Sequence, residues 1–181
     1  SVPQAMAAGR KHIAPALNLI LADETQVALQ VIGKQPRRDA NHNSQGRLPS
    51  FGTQQENLWT GYLPYSDNPS SFQPKTGIVG NTNNRTIQRE FPRHLSFHWG
   101  DTQRIQRWTR LMQAREVHTR DSFVEAQLDI VSPAARSLLP LIARDLWFAD
   151  EAAPAGTTAR KRQEALNLLA DWNGAMNEHL P

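Results

Sequence analysis

Gly77-Ile78-Val79-Gly80-Asn81-Thr82-Asn83-Asn84 concentrates more chemistry than any other stretch of this 181-residue chain. Two X-Pro dipeptides, Asn68-Pro69 and Gln73-Pro74, precede it, and Arg104 follows at the start of an amphipathic segment. Ile78-Val79 reads as a short buried strand flanked by glycines, with three asparagines behind it. An asparagine side chain carries two N–H donors and no charge. Held rigidly at a strand end, such a donor can stabilise the oxyanion of an acyl-transfer reaction by roughly 3–4 kcal/mol. The competing reading is an asparagine-rich turn, because asparagine tolerates left-handed backbone and bonds its own main chain.

The surrounding string separates these readings. Pro36-Arg37-Arg38, Arg47-Leu48-Pro49, Trp59-Thr60-Gly61-Tyr62-Leu63-Pro64, Gln73-Pro74-Lys75-Thr76-Gly77, Asn81-Thr82-Asn83-Asn84, Phe91-Pro92, Trp99 and Arg104-Ile105 occur in this order. As an ordered set the string resembles the penicillin amidase family of N-terminal-nucleophile hydrolases. That family's pattern runs P-x-R, R-L-P, W-x-G-x-x-P, N-P-x-x-G-x-I-x-x-x-N-N, Y-P, then W and R-I. The resemblance extends from about residue 1 to residue 174, with Gln73-Pro74 replacing Asn-Pro and Gly80 replacing alanine.

The resemblance implies an amidohydrolase that cleaves a non-peptide amide, or the side-chain amide of a β-lactam, through an acyl-enzyme. It places the oxyanion donor on Asn83 and a positioning arginine on Arg104. It implies an α+β fold: part of an αββα sandwich with few strands over residues 1–100, and a mainly helical subdomain over 101–181. The family's nucleophile is the N-terminal serine of a large subunit. Ser1 has that position, but Ser1 before Val2-Pro3 also suits a helix N-cap. The following Ala-rich run resembles a family helix well downstream of the catalytic serine. The chain is therefore expected to be an internal piece of a large subunit, inactive by itself. Its implied partners are the rest of that subunit, a small subunit and a small N-acyl substrate, in the periplasm or outside the cell, and the isolated piece is expected to self-associate through its exposed sandwich face. Penicillins and acyl-homoserine lactones are both compatible. No cofactor is implied. The position nearest the family's downstream calcium ligand falls at His94-Leu95, so no calcium site is expected here.

Composition sets the alternatives. The formal net charge is +3 and there is no cysteine, which removes thiolate chemistry and cysteine-based zinc sites. No run of 18 apolar residues is present, so no membrane-spanning helix is expected. Arginines cluster at 37–38, at 104, 107, 110 and 115, and at 160–162 with Lys161. They are interleaved with acids and match no nucleic-acid-binding signature. A second function class remains: a non-catalytic module whose basic helices bind an acidic partner, with salt-sensitive affinity.

Residues 2–12 read as a short helix, and 17–22 and 27–32 as a β-hairpin around Asp23-Glu24-Thr25-Gln26. Both strands are nearly continuous in apolar residues, which predicts cover on both faces. Residues 36–76, rich in Pro, Gly, Asn and Ser, read as a long irregular segment pinned by Trp59, Tyr62, Tyr65 and Phe72. Helices are expected after an Asp101 cap, from Thr119 or Asp121, after Ser132-Pro133 and from Thr157 or Thr158, with Gly174 as a stop. Leu138, Leu139, Leu141, Ile142 and Leu146 form an apolar stripe that Pro140 should kink or break. An Ala/Pro/Gly linker covers 149–157. His94 and His98 have helical metal-ligand spacing, but Ser96, Phe97 and Trp99 favour an extended or looped path in which such ligands diverge.

Overall fold

The computed structural model describes residues 1–146 and 153–179; the first part of the expected linker, 149–152, lies outside them. The chain forms two compact units, Ser1–Asp101 and Thr102–Pro181.

The first unit is built on the hairpin. Strands β1 (Leu17–Ala22) and β2 (Val27–Ile32) pair antiparallel, from Leu17 opposite Ile32 to Ala22 opposite Val27. Asp23 makes the turn: its Oδ1 accepts the main-chain N–H groups of Thr25 (3.0 Å) and Gln26 (2.9 Å). The Thr25 N–H is the largest influence holding the Asp23 carboxyl below its ordinary pKa. Strand β5 (Ser70–Phe72) joins the other edge of β2, giving the order β1-β2-β5. The central strand carries the core, with Ala28, Leu29, Gln30 and Val31 all buried. Helix α1 (Val2–Ala8) packs on β1 and β2 through buried Val2, and a 3-10 turn, Gly9–Lys11, continues it. Tyr65 Oη donates to the Met6 carbonyl at 2.7 Å, tying the later loop to this helix.

Three expectations for this unit change. Strand β1 is not covered on both faces: Leu19 and Leu21 are half-buried, while Asn18, Ile20 and Ala22 on the alternate face are exposed. A later loop reaches that face at Asn18, whose side chain donates to Asn81, while Ile20 and Ala22 stay exposed. The segment 36–76 is not wholly irregular, since β3 (Pro36–Arg38) and β4 (Trp59–Tyr62) pair across a bulge and β5 completes the main sheet. Of its four aromatics, Tyr65 anchors, whereas Trp59, Tyr62 and Phe72 are exposed. Trp59 and Tyr62 instead lie under cations, Arg38 and Lys34 respectively.

The second unit is helical. Helices α2 (Gln103–Gln113), α3 (Arg120–Gln127), α4 (Pro133–Leu146) and α5 (Thr158–Asp171) follow one another. Thr119, Ser132 and Thr157 begin three of them as expected, each side-chain oxygen accepting a first-turn N–H. At the first helix the cap is Thr102 rather than Asp101. Helix α4 continues through Pro140 to Leu146 without breaking. Its expected apolar stripe is largely exposed at Leu138, Leu141 and Ile142. Arg107 on α2 grips Asp129 after α3 in a bidentate pair, Nε donating to Oδ2 and Nη2 to Oδ1. Beyond α5, Gly174 takes a positive φ and Ala175 bridges back to Val131.

Candidate active site

The asparagine segment is a loop, not a strand. Ile78 and Val79 are half-buried, but the chain there forms no ladder, because glycines at 77 and 80 leave the pair without flanking strand residues. The three asparagines then knit the loop together. Asn84 Oδ1 accepts the Thr82 N–H at 3.0 Å. Asn81 Oδ1 accepts the Asn83 N–H at 2.9 Å. Asn81 Nδ2 donates to the Asn84 carbonyl at 3.3 Å. The segment is thus the asparagine-rich turn of the second reading, and the turn fixes a backbone.

Asn83 sits at its apex with φ +66°. Asparagine is among the few non-glycine residues that adopt this left-handed conformation readily. The Asn83 carbonyl accepts the Gly100 N–H at 3.1 Å, so both main-chain polar groups of Asn83 are held. A Cβ at Gly100 would lie 3.2 Å from that carbonyl oxygen, which explains why a glycine approaches there. The Asn83 residue itself is exposed. A cleft of about 190 Å³ lies beside the same loop, lined by Leu29 of β2, Ser70 and Ser71 of β5, Gly80 and Asn84.

The second residue of interest, Arg104, lies in the first turn of α2 and is exposed. It belongs to the helical unit, whereas Asn83 belongs to the first. Ser1 behaves as a cap: its main-chain nitrogen donates to Gln4 Oε1 at 3.2 Å, reaching over the first turn of α1.

His94 and His98 do not converge. His94 is buried and stacks on Phe97 with centroids 4.2 Å apart, while His98 is exposed. Among the described residues no group of three or more His, Cys, Asp or Glu side chains is placed to hold a metal ion. Burial, first, and then the charges of Arg38 and Arg47 push the His94 pKa down.

Sequence reasoning missed Asn18 and the part played by Asn81. Asn18 Nδ2, on the exposed face of β1, donates to Asn81 Oδ1 at 2.9 Å. The doubled use of asparagine at 81 and 83 was the available signal, but nothing local points to a partner 63 residues away.

Known proteins are similar to this chain along most of its length. The acyl-homoserine lactone acylase QuiP of Pseudomonas aeruginosa is 32% identical over 97% of this chain, which spans 21% of that protein. The penicillin G acylase of Escherichia coli is 30% identical over 78% of the chain and 16% of that protein. The chain thus spans about a fifth of these relatives. A thermostable penicillin G acylase from Alcaligenes faecalis superposes with a TM-score of 0.69 over 97% of this chain and 30% of its own, at 17% identity, which establishes the shared α+β fold. The family model described as Penicillin amidase matches residues 1–181 from end to end, and the chain belongs to the penicillin amidase family.

Proposed function

We propose that this chain is a segment of an acylase that hydrolyses the amide of a small N-acyl compound through an acyl-enzyme, and that Asn83 is its oxyanion donor. The observation carrying the proposal is the backbone of Asn83. Its N–H and its carbonyl are both pinned, by Asn81 and Gly100, while the residue stays exposed. Catalysis by a neutral donor requires that rigidity, because the donor must already point at the charge that develops in the transition state.

In this mechanism a serine hydroxyl attacks the amide carbonyl, and the electron pair moves onto oxygen. The Asn83 side-chain N–H donates to that oxyanion. The serine proton passes to that serine's own α-amine and on to the departing nitrogen, so collapse expels a neutral amine and leaves an ester, which water cleaves to the free acid and the serine. For Arg104 the family resemblance implies a positioning role. The attacking serine comes from elsewhere in the complete protein. Ser1 stands at the N-cap of α1, which supports that reading. The 181-residue chain alone is accordingly without turnover. The same reading pairs it with the rest of a large subunit and a small subunit, outside the cytoplasm.

The test uses the complete protein and a panel containing benzylpenicillin and N-acyl-homoserine lactones. Rapid-quench mass spectrometry should show a serine carrying the acyl group during turnover. Turnover of an amide with no acylated protein would contradict the mechanism.

A further inference from the structure

Asn81 has its amide orientation set by main-chain groups alone. An N–H can only donate and a carbonyl can only accept. Because Asn81 lies against the Asn83 N–H at 2.9 Å on one side and the Asn84 carbonyl at 3.3 Å on the other, its oxygen must face Asn83 and its nitrogen Asn84. That leaves a single way for a neighbouring amide to bond the Asn81 oxygen, which is by donating. Asn18 does so at 2.9 Å.

Asn18 is unlike the loop residues because it stands on a strand. Its main chain lies in the ladder, opposite Val31 of the buried central strand. A sheet is stiffer than a loop, and its side chains keep their register. The bond from Asn18 therefore references the asparagine loop to the sheet, at one oxygen that also holds the Asn83 N–H.

We infer that Asn18 is a positioning residue for the oxyanion donor: through Asn81 it fixes the left-handed turn at Asn83 and so aims the Asn83 amide. This rests on the assignment of Asn83 above. Asn18 touches neither substrate nor reacting atoms in this scheme, and its effect passes entirely through Asn81. Without the Asn18 donor, Asn81 keeps only its contacts within the loop, and the Asn83 amide samples more orientations. Misplacement of a catalytic group by about 1 Å can cost on the order of a hundredfold in rate.

The experiment is a double-mutant cycle in the complete acylase, with Asn18→Leu, Asn83→Ala and the pair. Leucine keeps the shape of asparagine on an exposed strand position and lacks the donor. Asn18→Leu should lower kcat by about tenfold to a hundredfold with KM changed little. In the Asn83→Ala background the same substitution should have almost no effect, because the amide it aims is gone. Hydrogen exchange at the Asn83 N–H should also accelerate in Asn18→Leu. Wild-type kcat in Asn18→Leu, alongside a large loss in Asn83→Ala, would overturn the positioning role and leave the oxyanion assignment standing. Equal losses from Asn18→Leu in both backgrounds would reduce Asn18 to a structural residue and also overturn it. Wild-type kcat in Asn83→Ala would remove the assignment itself, and the inference with it. If Asn18→Leu does not fold, Asn18→Ala enters the same cycle.

Discussion

Asn68 Nδ2 donates to the Gly33 carbonyl at 2.9 Å and, with its other hydrogen, to the Val31 carbonyl at 3.0 Å. One buried amide thus closes the end of the central strand and fixes where the chain leads into β5. Asn68→Ala leaves two carbonyls without these donors, which costs about 2–4 kcal/mol. Hydrogen exchange in the complete protein should show faster exchange of β2 amides in the variant. Unchanged protection there would refute the anchoring role.

Gly33 itself admits no side chain. Its φ is +104°, and an added Cβ would lie 2.9 Å from the Ala16 Cα. That neighbour is backbone and cannot swing aside. Gly33→Ala combines a left-handed penalty with overpacking, together about 2–5 kcal/mol. Thermal unfolding should register the loss, whereas Gly52→Ala, with nothing within 4 Å of its Cβ, should melt as wild type.

Arg107 and Asp129 place the acid sensitivity of the helical unit. The Arg107 hydrogen bonds hold the Asp129 carboxyl below its ordinary pKa, and the pairing raises that of Arg107. Their side chains are 27% and 14% exposed, so solvent screens the pair only in part. A depressed carboxyl pKa adds stability that is present above the unfolded value and is lost as pH falls through the folded one. Asp129→Asn should therefore destabilise α2 and α3 by about 1–2 kcal/mol at pH 7. The difference from wild type should vanish at strongly acid pH. A gap that persisted there would assign the effect to packing.

His94 works in the opposite charge sense but with the same sign in pH. Its imidazole is buried and neutral between Phe91 and Phe97, facing the positive field of Arg38, Arg47 and His42. The unfolded chain takes up a proton near the ordinary histidine value of about 6.5, and the folded chain does so only at lower pH. Stability is complete above that value and declines as pH falls through it, until the folded pKa is reached. His94→Phe keeps a ring against Phe97 and should flatten this slope in hydrogen-exchange protection of residues 91–98. An unchanged slope would assign the titration to another group.

Much of the fold was legible because its signals are local. The hairpin at 17–32 shows in two apolar runs around an aspartate turn, and helix starts show in Thr119, Ser132-Pro133 and Thr157, whose caps need only the next three residues. Strands of three or four residues such as β3, β4 and β5 carry too few positions to show a period, so the loop reading hid them. Ile78-Val79 misled because two β-branched residues say nothing about whether a partner strand exists. The site divided in the same way. Asn83 is proposed from the ordered motifs, while the Asn18 contact is one that only the folded sheet creates.

The central claim is that Asn83 donates to an oxyanion, and the kcat of Asn83→Ala in the complete protein tests it most directly. The account predicts a fall of about 10²–10³-fold in a protein that still folds, with a stability cost of about 1 kcal/mol from alanine at this left-handed φ. A folded Asn83→Ala enzyme turning over at the wild-type rate would contradict it.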